Sequence, residues 1–270
     1  MPLAVCATPI GNLEDVTLRV LRELSEADLV LCEDTRHTRR LLDRHGIEAT
    51  QLRSYHEHNE ARRTAEVLPE LEAGKRVALV SDAGMPGVSD PGGRLVAAAL
   101  DADVPITVLP GPSAVETALV ASGFGTDRFQ FLGYLPRGAG EREQLWGALA
   151  HWPHAAVAFE SPQRLAGALA SLAEALPERP TAVCRELTKR FEEVARGPAK
   201  QLAERFSGGA RGEITIVIGP GEERRAGADE DAAIEAVADL VAGGSSRRAA
   251  ADVVSRLTGV ARNSLYRGSL

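Results

Sequence analysis

The sequence predicts an α/β protein made of two α/β domains and a small C-terminal helical appendage. Three observations predict it. Over residues 1–113, short apolar or β-branched runs recur, each followed by a polar or glycine-rich motif and then a helical pattern, the alternation expected of parallel βα units. After Gly123 the pattern restarts with a more β-rich series of runs. The last forty residues carry helical periodicity alone. Domains spanning 1–113, 114–222 and 223–270 follow, with the join of the first two near residues 111–125.

In the first domain, residues 3–7 precede "TPIGN", 29–32 precede "EDTR", 76–80 precede "SDAGMPGVSDPG" and 106–109 precede "PGPSA". In an open parallel sheet the ligand crevice lies outside the carboxyl ends of the strands, so these four motifs are expected to converge. In the third motif, Asp90-Pro91 reads as an N-cap and first helical residue, since proline lacks an amide that a helix start leaves unpaired anyway. Ser81-Asp82-Ala83-Gly84 has no such explanation. Ser113 with Glu116 matches a capping box, and Ser161-Pro162 opens an amphipathic run to Leu176 that stops before Pro177. These serines read equally as caps and as ligand contacts. The second domain places strands at 129–132, 155–159, 181–184 and 213–218. Residues 219–231, "GPGEERRAGADED", read as a linker. Beyond it, Ala250, Val254 and Leu257 share one helix face, and Gly259 breaks before a second short helix.

At 270 residues, 44% hydrophobic and 26% charged, the chain can bury more than one core. No stretch approaches the roughly 20 apolar residues that span a bilayer, and the N-terminal segment has no basic leader. The expectation is a soluble, cytoplasmic protein without a membrane partner. Cys6, Cys32 and Cys184 lie far apart in apolar runs, which fits buried thiols rather than a disulfide framework or a CxxC zinc site. The formal net charge of −7 disfavours indiscriminate nucleic-acid binding, yet residues 245–270 carry five arginines against Asp252, a local +4. That tail reads either as a nucleic-acid appendage bearing Arg247 and Arg248 or as a solvated helical end.

Familiar nucleotide motifs are excluded: the glycines of residues 84–93 do not fit GxGxxG, and Gly74-Lys75 lacks the context of a phosphate loop. "SYHEHNE" invites a metal, but its spacing is neither HExxH nor a facial triad, and no metal is expected. If extended, that segment puts His56 and His58 on one face and Glu57 on the other. In "EDTRHTRRLLDRHGI", Arg36, Arg40 and Arg44 recur every four residues and share a helix face opposite Leu41 and Leu42. This ridge suits a phosphate backbone, or is laced to Asp34 and Asp43.

Taken in order, "TPIGNLEDVTLRVL", "EDTRHTRRLL", "YHEHNE", "SDAGMPGVSDPG", "LPGPSA", "FLGYLPR", "FESPQRL", "CRELTKRFEE" and "GEITIVIG" resemble the ribosomal RNA small subunit methyltransferase I family, a branch of the tetrapyrrole methylase superfamily. The resemblance runs from about residue 3 to residue 219. It implies a homodimer of class III methyltransferase type that binds S-adenosyl-L-methionine between its two domains. It also implies 2′-O-methylation of a cytidine ribose in the decoding region of 16S rRNA, in the small ribosomal subunit. By position it carries over cofactor contacts to Pro9, Ile10, Ser81, Asp82, Ala83, Gly84, Met85, Ser113, Ala114, Phe159 and Cys184, with Asp82 as the polar anchor. Met85, Gly138 and Gln163 depart from the family's threonine, lysine and histidine.

Methyl transfer from a sulfonium is dominated by positioning, and a general base adds about 10²- to 10⁴-fold. Candidates near the expected crevice are Glu33, Asp34, Glu160, Glu186 and Lys189, the last two reading equally as an internal ion pair. RNA contacts are expected of Arg36, Arg40, Arg137, Arg185, Arg247 and Arg248. Two other functions share these features: a tetrapyrrole C-methyltransferase and a non-catalytic RNA-binding module.

Overall fold

The computed structural model describes residues 2–221 and 226–270. The chain forms two compact units, one of residues up to Trp146 with His154–Pro220, the other of Gly147–Pro153 with Gly221–Leu270.

The first unit holds two five-stranded sheets. Strands β1 (Leu3–Cys6), β2 (Leu29–Cys32), β3 (Leu52–Ser54), β4 (Val77–Val80) and β5 (Ile106–Leu109) form the first, in the order β3-β2-β4-β1-β5. Every pairing in it is parallel. Its central strands are buried on both faces, as a sheet covered on each side by helices requires. Leu3, Val5, Leu29, Leu31 and Leu79 pack on one face against helices α3 (Glu60–Glu72) and α4 (Gly93–Asp101). Ala4, Cys6, Val30 and Cys32 pack on the other against α1 (Leu18–Glu26) and α2 (Thr35–Arg44).

The second sheet comprises β6 (Phe129–Tyr134), β7 (Ala155–Glu160), β8 (Pro180–Arg185), β9 (Glu193–Pro198) and β10 (Ile214–Ile218), in the order β6-β7-β10-β8-β9. Only β6 and β7 pair in parallel. Helix α5 (Ala114–Ser122) buries Val115, Ala118 and Leu119 against Val157, Ala182, Cys184 and Val217 of this sheet. Helices α6 (Ala139–Ala150), α7 (Pro162–Ala175) and α8 (Ala199–Arg205) complete the layer. In the second unit, α9 (Ala226–Ala242), α10 (Arg247–Thr258) and α11 (Arg262–Gly268) close around Ala233, Val237, Ala250, Ala251, Val254 and Leu265.

Five expectations are corrected. Strands β3 and β9 are additional to those read from sequence; both are edge strands, short or charged, and half-buried. Asp90-Pro91 does not open α4: its N-cap is Gly92 at φ 142°, and the Glu60 carboxylate accepts from the amides of Gly92 (3.5 Å) and Arg94 (3.3 Å). The segment at His56 is a turn, not extended, with Asn59 Oδ1 accepting from the His56 amide at 2.9 Å. The linker read over 219–231 is interrupted by α9 from Ala226 onward, and residues 222–225 lie outside the described residues. In α10, Leu257 is 80% exposed while Ala251 takes its place in the core. Gly259 does end the helix, as a left-handed C-cap at φ 75°.

The loop after β1 meets the β8–β9 loop at van der Waals limits. A Cβ on Gly11 would stand 2.7 Å from Thr188 Oγ1 and 2.9 Å from the Leu187 carbonyl oxygen. The next amide, of Asn12, donates to Thr188 Oγ1 at 3.0 Å. Gly11→Ala is therefore expected to destabilise the protein by about 1–3 kcal/mol, whereas Gly167→Ala, in open space on α7, is expected to stabilise it by up to about 1 kcal/mol. Thermal unfolding of the two variants checks the contrast.

Candidate functional site

Because β1, β4 and β5 are parallel, their following loops emerge at one edge of the first sheet. They form one wall of a cavity of about 700 Å³, and the second sheet supplies the other wall. Ile10, Asp82, Ala83, Gly84, Met85, Ser113 and Ala114 line the first wall, and Phe159 and Cys184 line the second. Pro9 and Ser81, also read as cofactor contacts, do not line the cavity; Ser81 belongs to the frame that shapes it.

That frame answers why the chain leaves β4 on small and polar residues. Thr8 and Gly84 exchange backbone hydrogen bonds at 2.8 and 3.0 Å, forming an isolated bridge between the β1 and β4 loops. Gly84 sits at φ 81°, a conformation glycine adopts without a Cβ clash. The Thr8 hydroxyl donates to the Ser81 carbonyl at 3.0 Å, and the Ser81 hydroxyl donates to the Gly84 carbonyl at 3.2 Å. Asp82 Oδ1 accepts from the Asp34 amide at 3.0 Å, which ties the β2 loop to the same frame. The "EDTR" loop therefore supports the cavity without lining it.

Sequence reasoning missed much of the wall. Val88, Ser89 and Asp90 line it from the β4 loop, and Phe129, Phe131 and Tyr134 from β6. The rings of Phe131 and Tyr134 meet Phe159 edge-on, with centroids 5.0 and 5.6 Å apart. An aromatic strand reads as core, so its periodicity carried no signal of a site; Phe129 and Phe131 alternate onto the cavity side, and Tyr134 joins them after a register shift that follows Phe131.

The titratable groups fall into two sets. Asp34 is the N-cap of α2 and pairs with Arg36 at 2.7 Å, which holds its carboxyl well below the usual range and raises Arg36. Glu186 accepts from the Glu213 amide at 2.9 Å and from Lys189 at 3.0 Å, and these bonds lower its pKa. Lys189 also pairs with Glu213 at 3.0 Å; burial pulls it down, but its two carboxylate partners outweigh that and the net shift is upward. The fully buried Glu160 carboxylate accepts from the Ser161 amide at 2.6 Å and pairs with Arg164 at 2.8 Å. Among the described residues, neither Glu33 nor Asp90 has an arginine, lysine or amide on its carboxylate, and the Ser81 hydroxyl reaches Asp90. Burial raises Glu33, with Asp82 and Asp34 adding to the shift and His56 opposing it. Burial also pushes Asp90 up to about 6, with Glu33 as its largest charged contributor. The Cys184 thiol, buried in the wall, is pushed up to about 11.

The arginines read as RNA contacts differ in availability. Arg36, Arg40, Arg137 and Arg248 are exposed and Arg247 is half-exposed. Arg185 is held by Glu193 at 2.8 Å, which also pairs with Arg205 at 2.6 Å. Arg44 pairs with Glu14 rather than with Asp43. Among the described residues no cluster of His, Cys, Asp and Glu could hold a metal ion.

Residues 2–203 match the family described as Tetrapyrrole (Corrin/Porphyrin) Methylases. The chain is 45% identical over 268 residues to the ribosomal RNA small subunit methyltransferase I of Mesorhizobium japonicum, covering 98% of this chain and 90% of that protein. It is 41% identical over 271 residues to the protein of the same name from Synechocystis sp., covering 99% and 97%. Of solved structures, the methyltransferase CobJ superposes with a TM-score of 0.63 at 22% identity, covering 83% of this chain and 95% of that one. The uroporphyrin-III C-methyl transferase from Thermus thermophilus, complexed with S-adenosyl homocysteine, superposes at 0.56 and 22%, covering 80% and 96%. The structural likenesses establish a shared fold, and the sequence matches over nearly the whole chain establish the rest: this chain belongs to the ribosomal RNA small subunit methyltransferase I family of the tetrapyrrole methylases.

Proposed function

We propose that the protein is an S-adenosylmethionine-dependent rRNA methyltransferase that methylates the ribose 2′-hydroxyl of a cytidine in the decoding region of 16S rRNA. The observation that carries the reading is the cavity itself. Its volume of about 700 Å³ lies in the range of small-molecule sites, and its wall combines apolar side chains with the carboxylates of Asp82, Asp90, Glu116, Glu160 and Glu213. Such a wall fits a donor whose sulfonium and ammonium are cationic. Small residues at 83, 84 and 114 leave the backbone open to a ligand. The relatives' name, ribosomal RNA small subunit methyltransferase I, supports RNA as the acceptor.

Ile10, Ala83, Gly84, Met85, Ser113 and Ala114 would hold the donor from the first wall, Phe159 and Cys184 from the second, with Asp82 as the polar anchor. The bound donor supplies an activated methyl group. The chain's part is to exclude water, align the 2′-oxygen and accept its proton. Exposed Arg36, Arg40 and Arg137 supply phosphate contacts around the site, and Arg247 and Arg248, in the first turn of α10, supply further ones in the helical appendage. We assign the protein to the cytoplasm; no helix among the described residues is long and apolar enough to cross a membrane. A homodimer is part of the same proposal, supported by apolar surface at Leu100 of α4 and Val108 of the edge strand β5.

The test is transfer of tritium from methyl-labelled S-adenosylmethionine to isolated small subunits. Label in 16S rRNA that survives alkaline hydrolysis as a 2′-O-methylcytidine dinucleotide is the expected result. Label on a base, or on a porphyrin precursor alone, overturns the reading, and no label at all returns the chain to a binding role. Replacing both Arg247 and Arg248 by alanine is expected to weaken RNA association and to reduce the slope of log affinity against log salt by about 2; filter binding across a salt series measures it.

A further inference from the structure

We infer that a hollow on the second sheet, lined by Arg185, Arg205 and Arg211, binds a backbone phosphate of the acceptor RNA beside the nucleotide that enters the donor cavity. The inference rests on the rRNA reading proposed above and adds an anchoring site for the RNA to it.

The hollow has a volume of about 450 Å³, and three arginines line it against the single carboxylate of Glu193, a net +2. Glu193 aims the cations it pairs with. Its Oε2 accepts from Arg185 Nε at 2.9 Å and Nη2 at 2.8 Å, and its Oε1 accepts from Arg205 Nη2 at 2.6 Å. Arg185 Nη1 also donates to the Arg211 carbonyl at 3.2 Å, and the Arg205 guanidinium lies 5.6 Å from the Phe206 ring centroid. Both guanidiniums are thus oriented before a ligand arrives, which lowers the entropy lost on binding, and the planar fork of arginine matches phosphate geometry. The Arg211 side chain is exposed and has no carboxylate partner among the described residues.

Backbone completes the wall. Gly208, Gly209 and Ala210, in the turn between α8 and β10, line the hollow. Among the described residues, the amides of Gly208 and Ala210 donate to no carbonyl. A Cβ on Gly208 would meet nothing within 4 Å. Amides left open in a glycine turn, with arginines beside them, suit an anion.

Strand register ties the hollow to the donor cavity. In the antiparallel pair of β8 and β10, Arg185 stands opposite Ile214 and Cys184 opposite Thr215. Cys184, Ile214 and Thr215 line the cavity, whereas Arg185 lines the hollow. Side chains alternate along a strand, so Cys184 and Arg185 turn to opposite faces and the two sites share one strand end. Arg211 lines the hollow, and the next two residues, Gly212 and Glu213, line the cavity. An RNA strand crossing this end of the sheet presents one nucleotide to the cavity and a neighbouring phosphate to the hollow. Charge sorts the two, because the carboxylates of the cavity repel the phosphate that the hollow attracts. The adjoining loop favours a nucleic acid over a free anion. Phe191, two residues before Glu193, is 67% exposed, with the Arg190 guanidinium 5.5 Å from its ring centroid. Exposed rings and guanidinium planes are where unpaired bases stack.

Filter binding of isolated small subunits across a salt series tests this. Replacing both Arg205 and Arg211 by alanine is expected to weaken association about 10- to 100-fold. The slope of log affinity against log salt is expected to fall by about 1 rather than 2, because the two arginines serve one phosphate. The kcat/KM for the subunits is expected to drop by the same factor as the affinity, while S-adenosylhomocysteine affinity by calorimetry matches the unmodified enzyme. Arg211→Lys is expected to keep the slope. An unchanged slope, a slope reduced by about 2, or a loss of kcat/KM with RNA affinity intact overturns the inference. Each leaves rRNA methylation standing, since labelling of 16S rRNA by the unmodified enzyme is scored separately. Calorimetric binding of inorganic phosphate that the double variant loses while its RNA affinity is kept marks a free-anion site and also overturns it. Should the double variant fail to fold, Arg211→Glu, at an exposed side chain, carries the same test with the same expected loss of slope. An unmodified enzyme that labels no 16S rRNA removes the underlying reading and this inference together.

Discussion

Beside the cavity, which Ile10 and Leu187 both line, the β1 loop lies flat against the β8–β9 loop. With no Cβ at Gly11, backbone meets backbone, and the Asn12 amide locks onto Thr188 Oγ1. The partner loop is itself strained, since Glu186 and Thr188 both adopt positive φ, 52° and 65°. Left-handed non-glycine residues cost of order 1–3 kcal/mol each. Here the Thr188 amide donates to Glu192 at 2.6 Å, while Glu186, Lys189 and Glu213 form a closed set of charged hydrogen bonds. That network offsets the strain of the loop.

The same logic sorts the acidic groups. A carboxylate with a cation or an amide on it is held ionised and below its usual pKa, which makes it a good cap and a poor proton acceptor. Asp34, Glu186 and Glu193 are of this kind, each lowered by a hydrogen-bonding partner. Burial without a cation acts in the opposite direction, and Glu33 and Asp90 are raised by it. The two carboxylates sit on loops from different strands, β2 and β4, that are neighbours in the sheet. Strand order, not sequence spacing, brings them into electrostatic reach.

This marks where the sequence is legible. Local signals hold: the buried parallel strands, the Ser161-Pro162 helix start, the left-handed stop at Gly259 and the small-residue loop 81–84 are written in adjacent residues, and the structure has them. What fails depends on partners far along the chain. The cap of α4 comes from Glu60, so an Asp-Pro that reads as a helix start does not open the helix. The edge strands β3 and β9 need only one neighbour each and so lack the apolar runs of their central counterparts. Arg185 reads as a free cation but faces Glu193 across the β8–β9 pair. Leu257 and Ala251 exchange roles because small side chains let helices approach closely, and identity alone did not tell which face closes.

An acidic cavity in an enzyme that acts on a polyanion is a consistent arrangement once distances are considered. Unit charges interact over roughly 8 Å at physiological ionic strength before screening dominates. Within that reach, the carboxylates of the wall attract a cationic sulfonium and repel phosphate. Exposed arginines such as Arg36, Arg40 and Arg137 would, on the proposed reading, meet phosphates at the surface instead. On the proposed reaction, the only part of a nucleotide that enters without electrostatic cost is the uncharged sugar with its base. The wall would then select the ribose hydroxyl by excluding its neighbours on the backbone. On the same proposal, carboxylates that stabilise the sulfonium before transfer would face a neutral thioether after it, so their attraction for the donor would weaken once the methyl group has moved, favouring release of the spent cofactor.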